Sequence, residues 1–290
     1  MIPPNFDYEA PTHVDDVVKL LSGTPGAKIL AGGQSLIPLM RFRLAQPTLL
    51  IDINRVTDLS YIHEDNGWLR VGTLAREADL ESSKVVFSRY PLLADTSHVI
   101  ADPLVRNRST LGGNLAHADP ANDHPATMLA YGARIVAKGP RGDRTIDAGE
   151  FFTGFFSTSL APDEIVTEIQ IPSPTERSGG AYLKIERKVG DFATAAVAVQ
   201  LVLDARGFIS QIGIGLTNVG ETPIKATEAE QALTGHEPEE SLIQHAAKLA
   251  AQAAQPIADH RGSEAYKRSL VATLTSRAIY KALERAQGGR

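Results

Sequence analysis

The sequence contains no cysteine among its 290 residues. A chain without thiols forms no disulfide and offers neither a thiolate nucleophile nor a thiolate ligand for zinc. It also supplies no cysteine to an iron–sulfur cluster. The sequence therefore excludes disulfide scaffolds, thiol-dependent enzymes and proteins that hold such clusters on their own cysteines.

Long apolar runs and an excess of positive charge are also missing. The longest apolar stretches fall far short of the ~20 residues that a membrane span needs. The net charge of −5 argues against nucleic acid as the main partner. The segment Met1–Asp7 has neither the basic start nor the apolar core of a signal peptide, so we expect a cytoplasmic protein.

Histidine is present but scattered. None of the eight histidines forms an H-x-H or H-x-x-x-H pair, so we do not expect a metal site. Only His117, Asp119, Asp123 and His124 lie close together in sequence. We interpret this group as a polar loop rather than as a set of metal ligands.

Two glycine-rich turns, about eighty residues apart, are the most informative feature that is present. The first is Ala31-Gly32-Gly33-Gln34-Ser35, directly after an apolar run, and the second is Thr110-Leu111-Gly112-Gly113-Asn114. Glycine lets a ligand approach the backbone closely, and consecutive N–H groups in such a turn form a concave anion site. The two turns together predict a grip on the two phosphates of one dinucleotide.

Neither turn is decisive alone. The first, taken alone, fits a plain strand-to-helix turn better than a phosphate site, and it lacks the G-x-G-x-x-G pattern of a Rossmann fold. Arg106, Arg108 and Asp123 flank the second turn. Arginine suits phosphate and a carboxylate suits sugar hydroxyls, but the same residues fit a solvated charged loop.

The pattern of elements predicts three parts: residues 1–55, 56–175 and 178–290. Residues 172–180, rich in proline, serine and glycine, are the best linker. Three alternating apolar runs then predict an antiparallel meander of three strands, followed by two helices. Within the third run, Gly213-Ile214-Gly215 indicates close strand packing or a bulge.

Four motifs in order resemble the medium, FAD-binding subunit of molybdenum hydroxylases, closest to the carbon monoxide dehydrogenase group. This resemblance covers essentially the whole chain. The motifs are the first turn, Arg106-Asn107-x-x-Thr110-x-Gly112-Gly113-Asn114, Ala118-Asp119-Pro120-x-x-Asp123-x-Pro125, and Lys188-x-Gly190-Asp191-Phe192-Ala193.

The resemblance implies an α+β fold. A two-part vanillyl-alcohol-oxidase-like (PCMH-type) FAD-binding module would precede a C-terminal domain with a three-stranded antiparallel sheet and helices. The implied cofactor-binding residues are Ala31, Gly32, Gly33, Gln34, Ser35, Leu36, Ile100, Ala101, Thr110, Gly112, Gly113, Asn114, Asp123, Val166, Lys184 and Phe192. No catalytic residue and no metal ligand is implied on this chain.

The resemblance also implies what these residues would do. Residues 31–35 would bind the pyrophosphate, and Thr110, Gly113 and Asn114 would form a second clamp. Asp123 would hold ribityl or ribose hydroxyls. The remaining positions would lie along the flavin: Ile100 and Ala101 beside its channel, Val166 and Lys184 near the ring system, and Phe192 near the isoalloxazine.

The implied function is electron transfer. FAD on this chain would pass electrons from [2Fe–2S] clusters of a small partner subunit to an external acceptor. Substrate, either carbon monoxide or an N-heterocycle or nicotine-type compound, would be oxidised at a large molybdopterin subunit, and the whole would be a dimer of heterotrimers. Carbon monoxide enzymes of the group often have Ala-Gly-Gly-His-Ser at the first turn, and Gln34 departs from that pattern.

Two other functions stay open at this point. One is a self-sufficient FAD-dependent oxidase of small alcohols with the same fold. The other is a non-catalytic assembly module that has lost its cofactor. The intact glycines at both turns count against the second of these.

Overall fold

The N-terminal part is a three-stranded parallel sheet in the order β1-β3-β2, as a computed structural model that describes residues 2–289 shows. Parallel strands of one sheet need crossover connections, and helix α1 (Val14–Gly23) forms the connection between β1 and β2. Apolar residues of the sheet and of that helix, such as Val17 and Ile51, form a core of their own. The elements are β1 (Asp7–Glu9), α1 (Val14–Gly23), β2 (Lys28–Leu30), α2 (Leu36–Arg41), β3 (Leu49–Asp52) and a 3-10 turn (Thr57–Leu59).

The middle part is a five-stranded antiparallel sheet in the order β4-β5-β10-β6-β7, covered by short helices. Its central strand, β10, comes last in the chain and pairs with β5 on one side and β6 on the other. The strands are β4 (Ile62–Asp65), β5 (Trp68–Gly72), β6 (Arg134–Gly139), β7 (Gly142–Asp147) and β10 (Ile165–Pro172), with a separate hairpin of β8 (Phe152–Gly154) and β9 (Ser157–Thr158). The helices are α3 (Glu77–Ser82), α4 (Lys84–Arg89), α5 (Pro91–His98), α6 (Pro103–Arg106), α7 (Leu111–His117), α8 (His124–Tyr131) and α9 (Ala148–Phe151).

The C-terminal part contains the predicted antiparallel meander and one strand more. A fourth strand of two residues pairs with Gly215 and Leu216 at the edge of the sheet. It is too short to leave an alternating pattern, and the expected count of three strands is corrected to four. The elements are β11 (Ser178–Ile185), β12 (Ala195–Leu203), β13 (Ile209–Thr217), β14 (Ile224–Lys225), α10 (Thr227–Leu233), α11 (Glu240–Ala253) and α12 (Glu264–Ala286).

Helix α8 of the middle part lies directly on strand β13 of the C-terminal part, and two glycines make this contact possible. A Cβ atom added at Gly213 would lie 2.0 Å from the Ala130 carbonyl oxygen, and one added at Gly215 would lie 2.0 Å from that of Ala126. The interpretation of this glycine pair as close strand packing is therefore confirmed.

An ion-pair cluster joins the same two parts at the end of α12. Asp95 on α5 accepts hydrogen bonds from both Nη atoms of Arg285, at 2.7 and 3.0 Å, and from Lys281 Nζ at 3.0 Å. Arg285 also donates to the Gly180 carbonyl at 2.6 Å. Burial raises the pKa of Asp95, but the pairs with Arg285 and Lys281 outweigh it and hold the pKa below its usual value.

None of the helices within residues 2–289 combines the length and the apolar character that crossing a bilayer requires. The division of the chain at residues 55 and 175 into three units stays a prediction.

Replacing Gly215 with alanine should destabilise the protein by about 1–3 kcal/mol, because the new methyl group overlaps the Ala126 carbonyl. Urea unfolding followed by circular dichroism measures the change. Gly149→Ala in α9 is the matched control, since an added Cβ there meets nothing within 4 Å. Equal unfolding midpoints for the two variants would show that the helix and strand are not in close contact.

The Asp95 cluster predicts a pH dependence of stability. A carboxylate whose pKa is lowered by folding stabilises the protein above its unfolded pKa of about 3.9, and this is lost as the pH falls through the folded value. Asp95→Asn should cost about 2 kcal/mol at pH 7, the scale of a charge-assisted hydrogen bond. The difference in unfolding free energy between the variant and the wild type, measured by urea titration, should become smaller below pH 4. A difference that stays constant with pH would contradict this assignment.

Candidate functional site

The two glycine turns lie against each other. A Cβ atom added at Gly32 would lie 2.3 Å from the Arg108 carbonyl oxygen and 2.8 Å from Ser109 Cα. One added at Gly113 would lie 3.9 Å from Ala31 Cβ. The turns therefore border one region of the surface, as a shared dinucleotide site requires.

The first turn leaves its donors open. The backbone N–H groups of residues 32–35 donate to no acceptor among residues 2–289. Gly33 has φ +74, a conformation that favours glycine, and its carbonyl accepts from the N–H of Ile37 at 3.1 Å. Four consecutive unused donors in a turn form a concave site that suits an anion.

The second turn has a different role from the expected one. The N–H groups of its residues are already used: Leu111 donates to Ala75, Gly112 to Thr73, Gly113 to Thr110 Oγ1, and Asn114 to the Thr110 carbonyl. The interpretation of this turn as a second set of open N–H donors is therefore wrong. A Cβ at Gly112 would lie 1.7 Å from Thr73 Oγ1, so this glycine serves close packing.

The side chain of Asn114 is the remaining polar group that the second turn offers. Its Oδ1 atom is buried and has no hydrogen-bond partner within residues 2–289. The backbone carbonyl of Asn114 accepts from Asn122 Nδ2 at 2.9 Å, which ties the turn to the loop before α8. A buried amide oxygen without a partner is a place where a ligand hydroxyl or amine is expected.

Of the two arginines that flank the second turn, only Arg108 has an exposed side chain. Arg106 pairs with Glu81 at 2.8 Å and donates to the carbonyls of Ile100 and Ala101. It therefore holds the segment that follows α5 in place, and its guanidinium is taken up by protein groups.

Asp123 is held by two residues of strand β11. Tyr182 donates its hydroxyl to Asp123 Oδ1 at 2.7 Å, and Lys184 Nζ donates to Oδ2 at 3.0 Å. Burial raises the pKa of Asp123, while the Lys184 ammonium opposes that shift. The Asp123–Lys184 pair thus ties the loop before α8 to the C-terminal sheet.

Lys184 also reaches the segment predicted to border the flavin. Its Nζ donates to the Val99 carbonyl at 3.1 Å. Ala101, two residues on, has φ +47, and a Cβ at Gly190 would lie 2.5 Å from its carbonyl oxygen. The segments that contain Ile100 and Phe192 are therefore neighbours.

Three further predicted residues differ in exposure. Phe192 presents a 48% exposed side chain on the loop between β11 and β12. Leu36 is half-buried at the start of α2. Val166 is buried in the core of the middle part, where it belongs to the same apolar cluster as Leu111 and Leu115.

The described residues contain no group of three or more histidine, aspartate or glutamate side chains placed to hold a metal ion. His124 instead lies 2.7 Å from Glu77, with both side chains fully buried.

Sequence reasoning missed Asn54 and Arg76, which connect the two turns. Asn54 Nδ2 donates to the Ala31 carbonyl at 2.9 Å, and Arg76 donates to Asn54 Oδ1 and to the Arg108 carbonyl. The signal available for Asn54 was its position just after strand β3. Nothing in the sequence around Arg76 distinguishes it from other surface arginines.

These features fit a dinucleotide diphosphate such as that of FAD. The four open N–H donors of the first turn suit the diphosphate, and the unpartnered amide oxygen of Asn114 suits a hydroxyl of the same dinucleotide. Glycines let both backbones approach closely.

Comparisons with known proteins identify the family to which each part of the chain is similar. A family model described as the FAD binding domain in molybdopterin dehydrogenase matches residues 4–174, and one described as the CO dehydrogenase flavoprotein C-terminal domain matches residues 180–282. The expected fold class, an FAD-binding module followed by a C-terminal flavoprotein domain, is thereby confirmed.

Individual relatives span the whole chain. The carbon monoxide dehydrogenase medium chain of Hydrogenophaga pseudoflava is 42% identical over 286 residues, covering 98% of this chain and 99% of its own. The alpha subunit of the 6-hydroxypseudooxynicotine dehydrogenase complex of Paenarthrobacter nicotinovorans is 38% identical, covering 99% and 97%. A solved structure of the Hydrogenophaga pseudoflava carbon monoxide dehydrogenase lacking the Mo-pyranopterin moiety superposes with a TM-score of 0.95 at 44% identity, covering 98% and 99%.

Gly32→Ala should lower FAD content at least tenfold, because the new methyl group displaces the Arg108 carbonyl and separates the turns. Flavin absorbance per purified chain measures this. Gly23→Ala at the end of α1 is the matched control, since its added Cβ meets nothing within 4 Å. A Gly32→Ala protein with full flavin content would show that the contact between the turns does not shape the site.

Proposed function

The chain belongs to the family of FAD-binding flavoprotein subunits of molybdopterin dehydrogenases, and from this premise we propose that it is the electron-transfer subunit of such a complex. The observation that carries the proposal is the contact between the two glycine turns, one of which presents four open N–H groups. This arrangement supports one cofactor site, in which the first turn supplies donors to the diphosphate and the second turn borders the same region.

We propose the following roles for the residues of this chain. The N–H groups of residues 32–35 bind the pyrophosphate, and Asn114 accepts a hydrogen bond from a sugar or ribityl hydroxyl through its unpartnered Oδ1. Bound FAD would exchange one or two electrons with its partners.

The buried Asp123–Lys184 pair is proposed to orient the flavin end of the cofactor. Lys184 Nζ donates hydrogen bonds to Asp123 and to the Val99 carbonyl, so the position of the ammonium group is fixed before a ligand binds. Each Asp123 oxygen accepts one hydrogen bond from a protein group and keeps a further acceptor position, so Asp123 is also proposed to hold a ribityl or ribose hydroxyl.

The absence of cysteine requires that iron–sulfur clusters lie on another chain. We propose a small subunit with [2Fe–2S] clusters and a large molybdopterin subunit as partners, in a dimer of heterotrimers. Substrate would be oxidised at the large subunit, and electrons would leave through FAD to an external acceptor. The relatives named above support a multi-subunit complex, since one is a medium chain and the other is a subunit of a complex.

The substrate class proposed is carbon monoxide or an N-heterocyclic or nicotine-type compound. The carbon monoxide and 6-hydroxypseudooxynicotine relatives differ by only four points of identity to this chain, 42% against 38%. Gln34, in place of the histidine frequent in carbon monoxide enzymes, favours the organic substrates.

Substrate should reduce the flavin only when the partner subunits are present. The complex purified through a tag on this chain is expected to contain about one FAD per chain and to bleach at about 450 nm when its substrate is added anaerobically. The same chain produced without the large subunit should show no bleaching with that substrate, while dithionite still reduces any bound FAD.

Two outcomes would contradict the proposal. Bleaching of the isolated chain by a small alcohol would indicate a self-sufficient oxidase. A complex that turns over substrate without flavin would indicate an assembly module.

A further inference from the structure

We propose that Arg76 is a positioning residue that holds the two turns in register and directs the Gly32 N–H into the anion site. This inference rests on the proposed function, because it concerns how the same diphosphate site is held open. It adds a residue that lies outside both glycine motifs and in a different part of the fold from the first turn.

Asn54 anchors the first turn. Asn54 Nδ2 donates to the Ala31 carbonyl at 2.9 Å and to Asp52 Oδ1, and the Asn54 backbone N–H donates to the same Asp52 oxygen at 2.9 Å. With acceptors on its nitrogen side and an arginine on its oxygen side, the Asn54 amide has only one favourable orientation. Tyr8 completes the anchor by donating its hydroxyl to Asp52 Oδ2 at 2.7 Å.

The geometry of the peptide between Ala31 and Gly32 sets the direction of the Gly32 N–H. The Ala31 carbonyl and the Gly32 N–H belong to one planar trans peptide, so they point in opposite directions. Holding the carbonyl on Asn54 therefore turns the Gly32 N–H away from Asn54, and no acceptor among residues 2–289 takes this N–H.

Arg76 links this anchor to the second turn. The two Nη atoms of Arg76 donate to Asn54 Oδ1 and to the Arg108 carbonyl. That carbonyl is the group that lies against Gly32, so Arg76 fixes both the anchor of the first turn and the surface on which it rests.

The backbone of Arg76 is itself constrained on the same side. It forms a bridge with Thr110, the residue that caps α7, and its N–H donates to Asp79 Oδ2 at 3.1 Å. The side chain is half-buried. Arg76 therefore sits on a rigid segment and reaches both turns with one planar group.

An arginine is needed for this geometry. Its guanidinium presents several N–H donors in a rigid fork, which can serve two acceptors in fixed directions. A lysine carries the same charge on a flexible stem with a single nitrogen. Lysine at this position is therefore expected to keep the charge and to lose part of the alignment.

The test is FAD affinity of the complex, measured by removing the cofactor and titrating it back while following flavin fluorescence. Arg76→Gln should weaken FAD binding at least tenfold, and Arg76→Lys should weaken it by a smaller factor. Asn54→Ala should also weaken binding. The double variant that combines Arg76→Gln with Asn54→Ala should bind FAD no more than about twofold more weakly than the weaker of the two single variants. The reason is that the effects of two residues acting through one chain of contacts are not additive.

Arg89→Gln is the matched control. Arg89 pairs with Glu64 on the same part of the fold and contacts neither turn. Arg89→Gln should bind FAD as the wild type does. Without cofactor, the thermal unfolding midpoints of Arg76→Gln, Arg76→Lys and Arg89→Gln should lie within a few degrees of one another.

The outcomes separate this inference from the proposed function. A wild-type complex that binds no FAD would refute the proposed function. A wild type that binds FAD, together with an Arg76→Gln variant within twofold of it, would refute the role of Arg76 alone. Multiplicative losses in the double variant, or a loss of FAD that merely follows a large drop in the cofactor-free thermal midpoint, would show a general structural effect and would also overturn the inference.

Discussion

The close approach of Gly32 to the Arg108 carbonyl is the contact on which the site depends. Any side chain at residue 32 would occupy the space of that carbonyl. The contact joins a loop of the N-terminal parallel sheet to a loop of the middle antiparallel sheet. The proposed diphosphate site is therefore a property of the junction between two parts of the fold rather than of either part.

The C-terminal part is attached to the middle part by charged and polar side chains as well as by apolar contact. Asp95 receives Arg285 and Lys281 from α12, and Asp123 receives Tyr182 and Lys184 from β11. Buried charges need partners because desolvation is costly, and a fixed partner is also a positional constraint. These pairs set the C-terminal sheet in place beside the segment Val99–Ala101.

Much of the fold follows from patterns in the sequence. The alternation along β12 separates valine and leucine side chains, which pack in the C-terminal core, from Ala196 and Ala198, which pack in a second cluster with residues of α8. The helical periods of α11 and α12 arise from burial on one face, which local composition reports well. Strand β14 was missed because two residues cannot show a period. Both glycine turns were recognised, because glycine pairs mark places where a side chain does not fit.

The site was harder to predict than the fold, since its geometry comes from long-range contacts. Nothing local to Gly112 indicates that the Thr73 carbonyl already accepts its N–H group. Arg106 resembles a phosphate ligand in sequence, yet Glu81 and two carbonyls occupy it. The importance of Arg76 depends on Asn54 and Arg108, which lie 22 and 32 residues away.

The position of strand β10 has a consequence for biosynthesis. Val71 pairs with Ile169, so the centre of the middle sheet stays open until a segment nearly a hundred residues later has left the ribosome. Pairing over such a distance is slow, and unpaired strand edges in the waiting chain favour aggregation. The nascent chain therefore has to be kept from pairing with other chains until β10 has emerged.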